Sequence, residues 1–182
     1  MAEEIKKNKT ERPQKNNRKE RPVKVDDGLD KRLVSVRRVS KTVKGGRTMH
    51  FSALVVIGDG KGNIGMGIGK ASEVPNAIDK ATVVAKKNMK KVALNEHTIP
   101  HETIGKFGAT KVLMLPAEEG RGVIAGGVAR AVLEVAGVKN IVTKIHGSTN
   151  RINVVKATMN GLLGLKTREE IAARRGKKPE EI

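Results

Sequence analysis

The amino-acid sequence predicts an α+β protein, and three patterns carry that prediction. β-branched segments separated by glycine turns run from Leu33 to Gly69, an apolar stripe of helical period follows from Val74, and beyond His97 strand and helix patterns alternate. The sum is a β-β-β-α unit followed by a β-β-α-β-α unit.

Residues 1–28 carry Lys, Glu, Asn, Pro and Arg with almost no apolar side chains. Such a segment cannot repay the entropy of ordering, and it reads as a disordered basic arm. LVSVRRVSKTV, Lys44-Gly45-Gly46-Arg47 and FSALVVI then read as a hairpin, because Gly-Gly adopts the positive φ that a tight turn requires. In Ile64-Gly65-Met66-Gly67-Ile68-Gly69 large residues alternate with glycine, so the third strand has one packed face and one bare face. A bare face lets another backbone approach closely.

Ser72 offers an N-cap and Pro75 suits a first helical turn. Val74, Ala77, Ile78, Ala81, Val84, Ala85, Met89 and Val92 form the apolar stripe of the helix. Lys80, Lys86, Lys87, Lys90 and Lys91 fall largely off it, and the first unit ends near Leu94.

The second unit opens with HETI, a turn at Gly105-Lys106-Phe107-Gly108 and the strand TKVLML, which ends at Pro116. EEGRGVIAGG leads into the helix VARAVLEVAG, with Gly137 as its stop. The strand NIVTKI, the polar loop HGSTNRIN and a helix through VVKATMNGLL follow. Thr167 and Glu170 have capping-box spacing before REEIAARR, which Gly176 ends. The expected divisions are an arm (1–28), a first domain (29–95), a second domain (96–166) and a short helix with a basic tail (167–182).

Charge narrows the function. With 37 Lys+Arg against 19 Asp+Glu the chain carries +18, a balance suited to a polyanion and above all to nucleic acid. A membrane surface fits poorly, because no bulky aromatic anchors exist: Trp and Tyr are absent and Phe51 and Phe107 are the only aromatics. No apolar run reaches the roughly 18 residues of a membrane span, and the first residues contain no signal-peptide core, which points to the cytoplasm. The aromatic shortage also disfavours base stacking and favours phosphates, sugars and groove shape. Without Cys there is no disulfide, thiolate metal site or cysteine nucleophile.

Two glycine clusters raise nucleotide chemistry. Gly60-Lys61-Gly62-Asn63-Ile64-Gly65 matches the dinucleotide fingerprint literally, yet its third glycine enters a strand where the fingerprint needs a helix. It reads as a tight hairpin from Asp59 to Asn63 whose glycines, with Lys61 and Lys70, could abut a phosphate backbone. The second cluster, Pro116 to Gly122, precedes a helix and is similar to the phosphate loop of galactokinase- and homoserine-kinase-type enzymes. An ATP-dependent small-molecule kinase using Gly120 to Gly127 is therefore the rival reading, although Glu118 and Glu119 oppose a triphosphate. His97 and His101 have metal-like spacing, but Pro100 breaks the helix that would align them and no third ligand is evident. His50 and His146 lack a nucleophile partner.

The runs VSKTVKGGR (39–47), VVIGDGKGNIGMGIGKASEVP (55–75), IAGGVARAVLEVAGV (124–138) and GSTNRINVVKAT (147–158) closely resemble the family of the fifth protein of the bacterial small ribosomal subunit. The resemblance spans roughly residues 30 to 176, in order and with compatible spacing. It implies a double-stranded-RNA-binding-like first domain, its leading helix reduced to a short stretch near Leu29. It implies a second domain of the α/β type shared with those small-molecule kinases and with a translocation elongation factor, and neither cofactor nor catalytic group.

The family's partners are implied too: small-subunit ribosomal RNA, the fourth small-subunit protein, the third and eighth as neighbours, and messenger RNA where it enters the subunit. The loop matching Lys41 to Arg47 is expected to reach toward the neck and head, near the spectinomycin site. Ser148, Thr149, Asn150, Arg151 and Asn153 are expected to help anchor the protein on RNA. Gly122 and Arg130 match positions at the contact with the fourth protein, where changes alter decoding fidelity. Met66 and Ile68 replace the family's common aromatics, and Arg151 replaces a common proline.

From the residues themselves, Arg37, Lys41, Lys44, Arg47, Lys61, Lys70, Lys86 and Lys87 are expected to supply charge to phosphates. Gly45, Gly46, Gly65 and Gly67 are expected to permit close approach.

Overall fold

A computed structural model describes residues 28–95 and 97–177, so the expected basic arm, residue 28 apart, and the last five residues of the tail lie outside the described residues. Strands β1 (Asp30–Val43), β2 (Gly46–Gly58) and β3 (Asn63–Ala71) form an antiparallel meander, and helix α1 (Val74–Lys87) returns across it. A short strand not foreseen in the sequence, β4 (Lys90–Lys91), then pairs with β3, making the order β1-β2-β3-β4. No helix precedes β1 among the described residues.

The second sheet has the order β5-β6-β8-β7 and contains β5 (Thr103–Phe107), β6 (Thr110–Pro116), β7 (Val123–Ile124) and β8 (Ile141–Gly147). Helix α2 (Gly127–Ala136) lies between β7 and β8, and α3 (Arg151–Leu163) and α4 (Arg168–Arg175) follow. The α+β class is thus observed, with two short strands added.

Several expected boundaries shift. Gly105, Lys106 and Phe107 belong to β5, and the hairpin turns at Gly108-Ala109. Gly105 is glycine because a Cβ there would overlap the Ala157 carbonyl of α3, not because the chain turns. The loop expected over HGSTNRIN shrinks to residues 148–150: β8 extends through Gly147, and Asn150 caps α3 by accepting from the Ile152 amide at 3.2 Å. Ser72 does not cap α1; the N-cap is Glu73 without a side-chain bond, and Pro75 sits in the first turn as expected. Val84 is exposed rather than part of the buried stripe. Thr167 caps α4 by accepting from the Glu170 amide.

Strand β2 explains how the layers assemble. Its inner residues are buried on both faces, the pattern of a strand covered from two sides. Ala53, Val55 and Ile57 pack with Ala77, Ala81 and Ala85 of α1. Leu54 and Val56 join Ile64 in a second cluster that contains Val132, Leu133, Val135 and Ala136 of α2 and continues to Val154, Val155 and Leu162 of α3. The first sheet is therefore sandwiched between its own helix and α2.

Candidate nucleic-acid interface

The glycines of β3 answer to α1. A Cβ on Gly65, Gly67 or Gly69 would overlap the carbonyl of Ala85, Ala81 or Ala77 respectively. The periods match: two residues of strand advance about 6.6 Å and four of helix about 6 Å, so glycine-alanine pairs repeat in step along the contact. The expectation that Gly65 and Gly67 open a face to phosphate is corrected. That face is filled by α1.

The loop Gly58 to Gly62 is engaged as well. Helix α2 ends in a Schellman turn at Gly137 (φ +93°), where the amides of Gly137 and Val138 reach the carbonyls of Glu134 and Leu133. The two remaining carbonyls accept from the glycine loop, Val135 from the Gly60 amide at 3.1 Å and Ala136 from the Gly62 amide at 3.0 Å. All four terminal carbonyls are satisfied. The loop donors that a pyrophosphate would need are spent on a helix C-terminus, so the fingerprint match is a docking device. Asp59 holds the turn by accepting from the amides of Lys61 (2.8 Å) and Asn63 (3.0 Å) and from the Asn63 side chain. Partial burial pushes its pKa up, but those hydrogen bonds together outweigh burial and leave it lowered.

The second cluster does not form a kinase phosphate loop. Residues 117–122 lead into β7 before α2 begins, whereas such a loop must deliver its amides at the helix start. The Gly122 amide donates to Asn140 Oδ1 at 3.0 Å, and the Gly122 carbonyl accepts from Ile141. His101 is likewise occupied. Its Nε2 accepts from the Lys166 amide at 3.3 Å, so Nδ1 carries the proton and donates to the Glu102 carbonyl at 2.8 Å.

What stays accessible is the outer half of the β1–β2 hairpin. Arg37, Arg38, Lys41, Lys44 and Arg47 are all exposed, and the register continues to Val43↔Gly46 around a two-residue turn at Lys44-Gly45. Gly45 (φ +94°) and Gly46 (φ +148°) have open space around them, so backbone conformation rather than crowding requires glycine there. From Arg38 to the tip the arm extends about 20 Å. Among the described residues the ion pairs are those of Arg32 with Asp30 (3.3 Å) and Glu134 (3.6 Å), so the hairpin cations face no carboxylate.

At the hairpin base an open concavity is lined by Lys41, His50, Lys70 and Lys80 with Ser40 and Ser72. Arg37, Ser52 and Lys70 occupy one cross-strand row on the face away from α1. Expected Arg37, Lys41, Lys44, Arg47 and Lys70 therefore share one end of the sheet. His50 and Lys80 join them without having been expected, although Lys80 already stood off the apolar stripe of α1.

Lys61 lies beyond the opposite end of β2. Lys86 and Lys87 occupy the last turn of α1, where positive charge complements the helix dipole. Their positions thus have a structural reason of their own.

Ser148 to Asn153 divide between loop and helix. Thr110 Oγ1 donates to the Ser148 carbonyl at 2.7 Å, Ser148 Oγ accepts from the Asn150 amide at 3.3 Å, and Thr149 is exposed. Arg151 Nη1 donates to the Val34 carbonyl at 3.4 Å, beside the bulge in β1, so this side chain ties the first sheet to the start of α3. Asn153 lies in the first turn of α3 near Gly108. Gly122 (φ +72°) and exposed Arg130 flank the start of α2.

Residues 29–93 match the family model described as ribosomal protein S5, N-terminal domain, and residues 105–175 match ribosomal protein S5, C-terminal domain. The chain is similar to small ribosomal subunit protein uS5 of Cupriavidus metallidurans, at 59% identity over 86% of this chain and 91% of that one. The corresponding protein of Ralstonia nicotianae is 60% identical over the same shares, and that of Alcanivorax borkumensis 57% identical over 86% and 94%.

Proposed function

The chain belongs to the ribosomal protein S5 family, and from that premise we propose that it is a structural component of the small ribosomal subunit in the cytoplasm, not an enzyme, that binds ribosomal RNA through the β1–β2 hairpin and its basic base. The observation that carries the reading is the projecting arm with five exposed cations and, among the described residues, no carboxylate partner. A thin two-stranded ribbon with a glycine turn fits between RNA segments, where arginines clamp phosphates with paired hydrogen bonds and lysines act as point charges.

Finer roles follow the family. The hairpin tip reaches toward the neck of the subunit, and Ser148, Thr149 and the start of α3 abut ribosomal RNA. Gly122 and Arg130 meet the fourth small-subunit protein and support decoding fidelity, with the third and eighth as further neighbours. The protein also contributes to the channel by which messenger RNA enters. The positive φ of Gly122 supports sensitivity at that position, since any side chain there would strain the loop leading to α2.

The test is binding of purified full-length protein to a small-subunit ribosomal RNA transcript across salt. With about six phosphate contacts, affinity should fall by orders of magnitude between roughly 50 and 200 mM salt. A flat response, or saturable ATP binding by nuclease-treated protein, would remove this reading.

A further inference from the structure

We propose that the helix-free face of the second sheet is a further RNA-backbone contact, made by Lys106, Lys111, Lys144 and His146. This rests on the RNA-binding reading above and extends it to a surface none of the expected site residues occupies.

The register fixes the faces. Gly105 packs on α3, and its row partners Val112 and Ile145 share that side, as does Phe107, whose ring lies 4.6 Å beneath Lys156 Nζ of α3. Residues of the alternate parity therefore point away from the helices. They form two adjacent rows, Lys106–Lys111–His146 and Ile104–Leu113–Lys144. All four basic residues are exposed, and Ile104 is 54% exposed beside them.

Like charges directly opposite on neighbouring strands destabilise a sheet. Here Lys106 and Lys111 are direct partners, and Lys111 is followed by His146. None of the four takes part in an ion pair among the described residues. No carboxylate occurs at any position of β5, β6 or β8. The basic rows lie at the end of the sheet where β8 runs into Ser148 and Thr149. They thus prolong the proposed RNA-facing loop, and a chain of phosphates is the polyanion that could span both, with Ile104 and Leu113 against sugar faces.

The experiment compares two full-length variants with the parent protein on a small-subunit ribosomal RNA transcript: Lys106→Gln/Lys111→Gln/Lys144→Gln, and the hairpin variant Lys41→Gln/Lys44→Gln/Arg47→Gln. The sheet variant is expected to bind at least about tenfold more weakly near 0.1 M salt, with a log-log salt slope shallower by about two units. Its melting temperature should not fall, because repulsion is relieved. Charge-preserving Lys106→Arg/Lys111→Arg should bind like the parent, and cross-linking of the parent should attach RNA to the segment 106–111. An unchanged slope in the sheet variant beside a weakened hairpin variant would overturn the proposal and leave the RNA reading standing. A flat salt response of the parent would instead defeat that reading. Normal RNA binding with failed incorporation into particles containing the other small-subunit proteins would assign the face to a protein neighbour and overturn the proposal too.

Discussion

At Asp59 one carboxylate gathers three donors and closes the turn that presents Gly60 and Gly62 to α2. Replacing it with alanine is expected to cost about 2 kcal/mol, since hydrogen bonds to a charged acceptor exceed the ordinary value. Its folded pKa lies below the ordinary 3.8. The contribution is therefore complete above that value and is lost as pH falls through the folded one. Denaturant titrations from pH 6 downward check this, and an Asp59→Ala curve parallel to the parent at acid pH would contradict it. At Gly67 the prediction is steric. Gly67→Ala drives a methyl into the Ala81 carbonyl and should cost about 3 kcal/mol or more, while whatever folds retains parental RNA affinity. A stable variant defective in RNA binding would restore the glycine to the RNA surface.

The outer hairpin is an element exposed to solvent rather than built into a core. Its outer residues are exposed, so Lys41→Gln/Lys44→Gln/Arg47→Gln should leave the melting temperature within about 2 °C while weakening RNA binding and lowering the salt slope by two to three units. A comparable loss of stability would mean the arm packs at home. Helix α2 is the opposite case. Its last two carbonyls depend on another sheet's loop, and a Cβ on Gly137 would overlap the Gly60 carbonyl at a φ that already disfavours side chains. Gly137→Ala is expected to lower stability by more than 2 kcal/mol, read by chemical denaturation.

At the scale of the whole molecule, one hydrophobic cluster runs from Leu54 and Ile64 of the first sheet through α2 to α3. Two domains that share a core should unfold together. Calorimetry of the full chain is expected to give one transition with matching calorimetric and van't Hoff enthalpies, and two resolved transitions would refute the shared core. Strand alternation, the caps at Thr167 and Gly176 and the stop at Gly137 were all legible, because each depends on residues adjacent in sequence. β4 and β7 were not, since two-residue strands are defined by their neighbours rather than by their own pattern. The sharing of β2 between two helices left only a faint trace, its unbroken apolar run.

Composition and local pattern alone determined the α+β class, the polyanionic partner and the hairpin arm, because charge, period and turn chemistry are properties of contiguous residues. Only the tertiary structure decided which glycines serve the fold. Gly65 and Gly67 face the alanines of α1, and the amides of Gly60 and Gly62 end α2. A glycine records that something approaches closely without recording what, and the approaching backbone lies in a segment far along the chain.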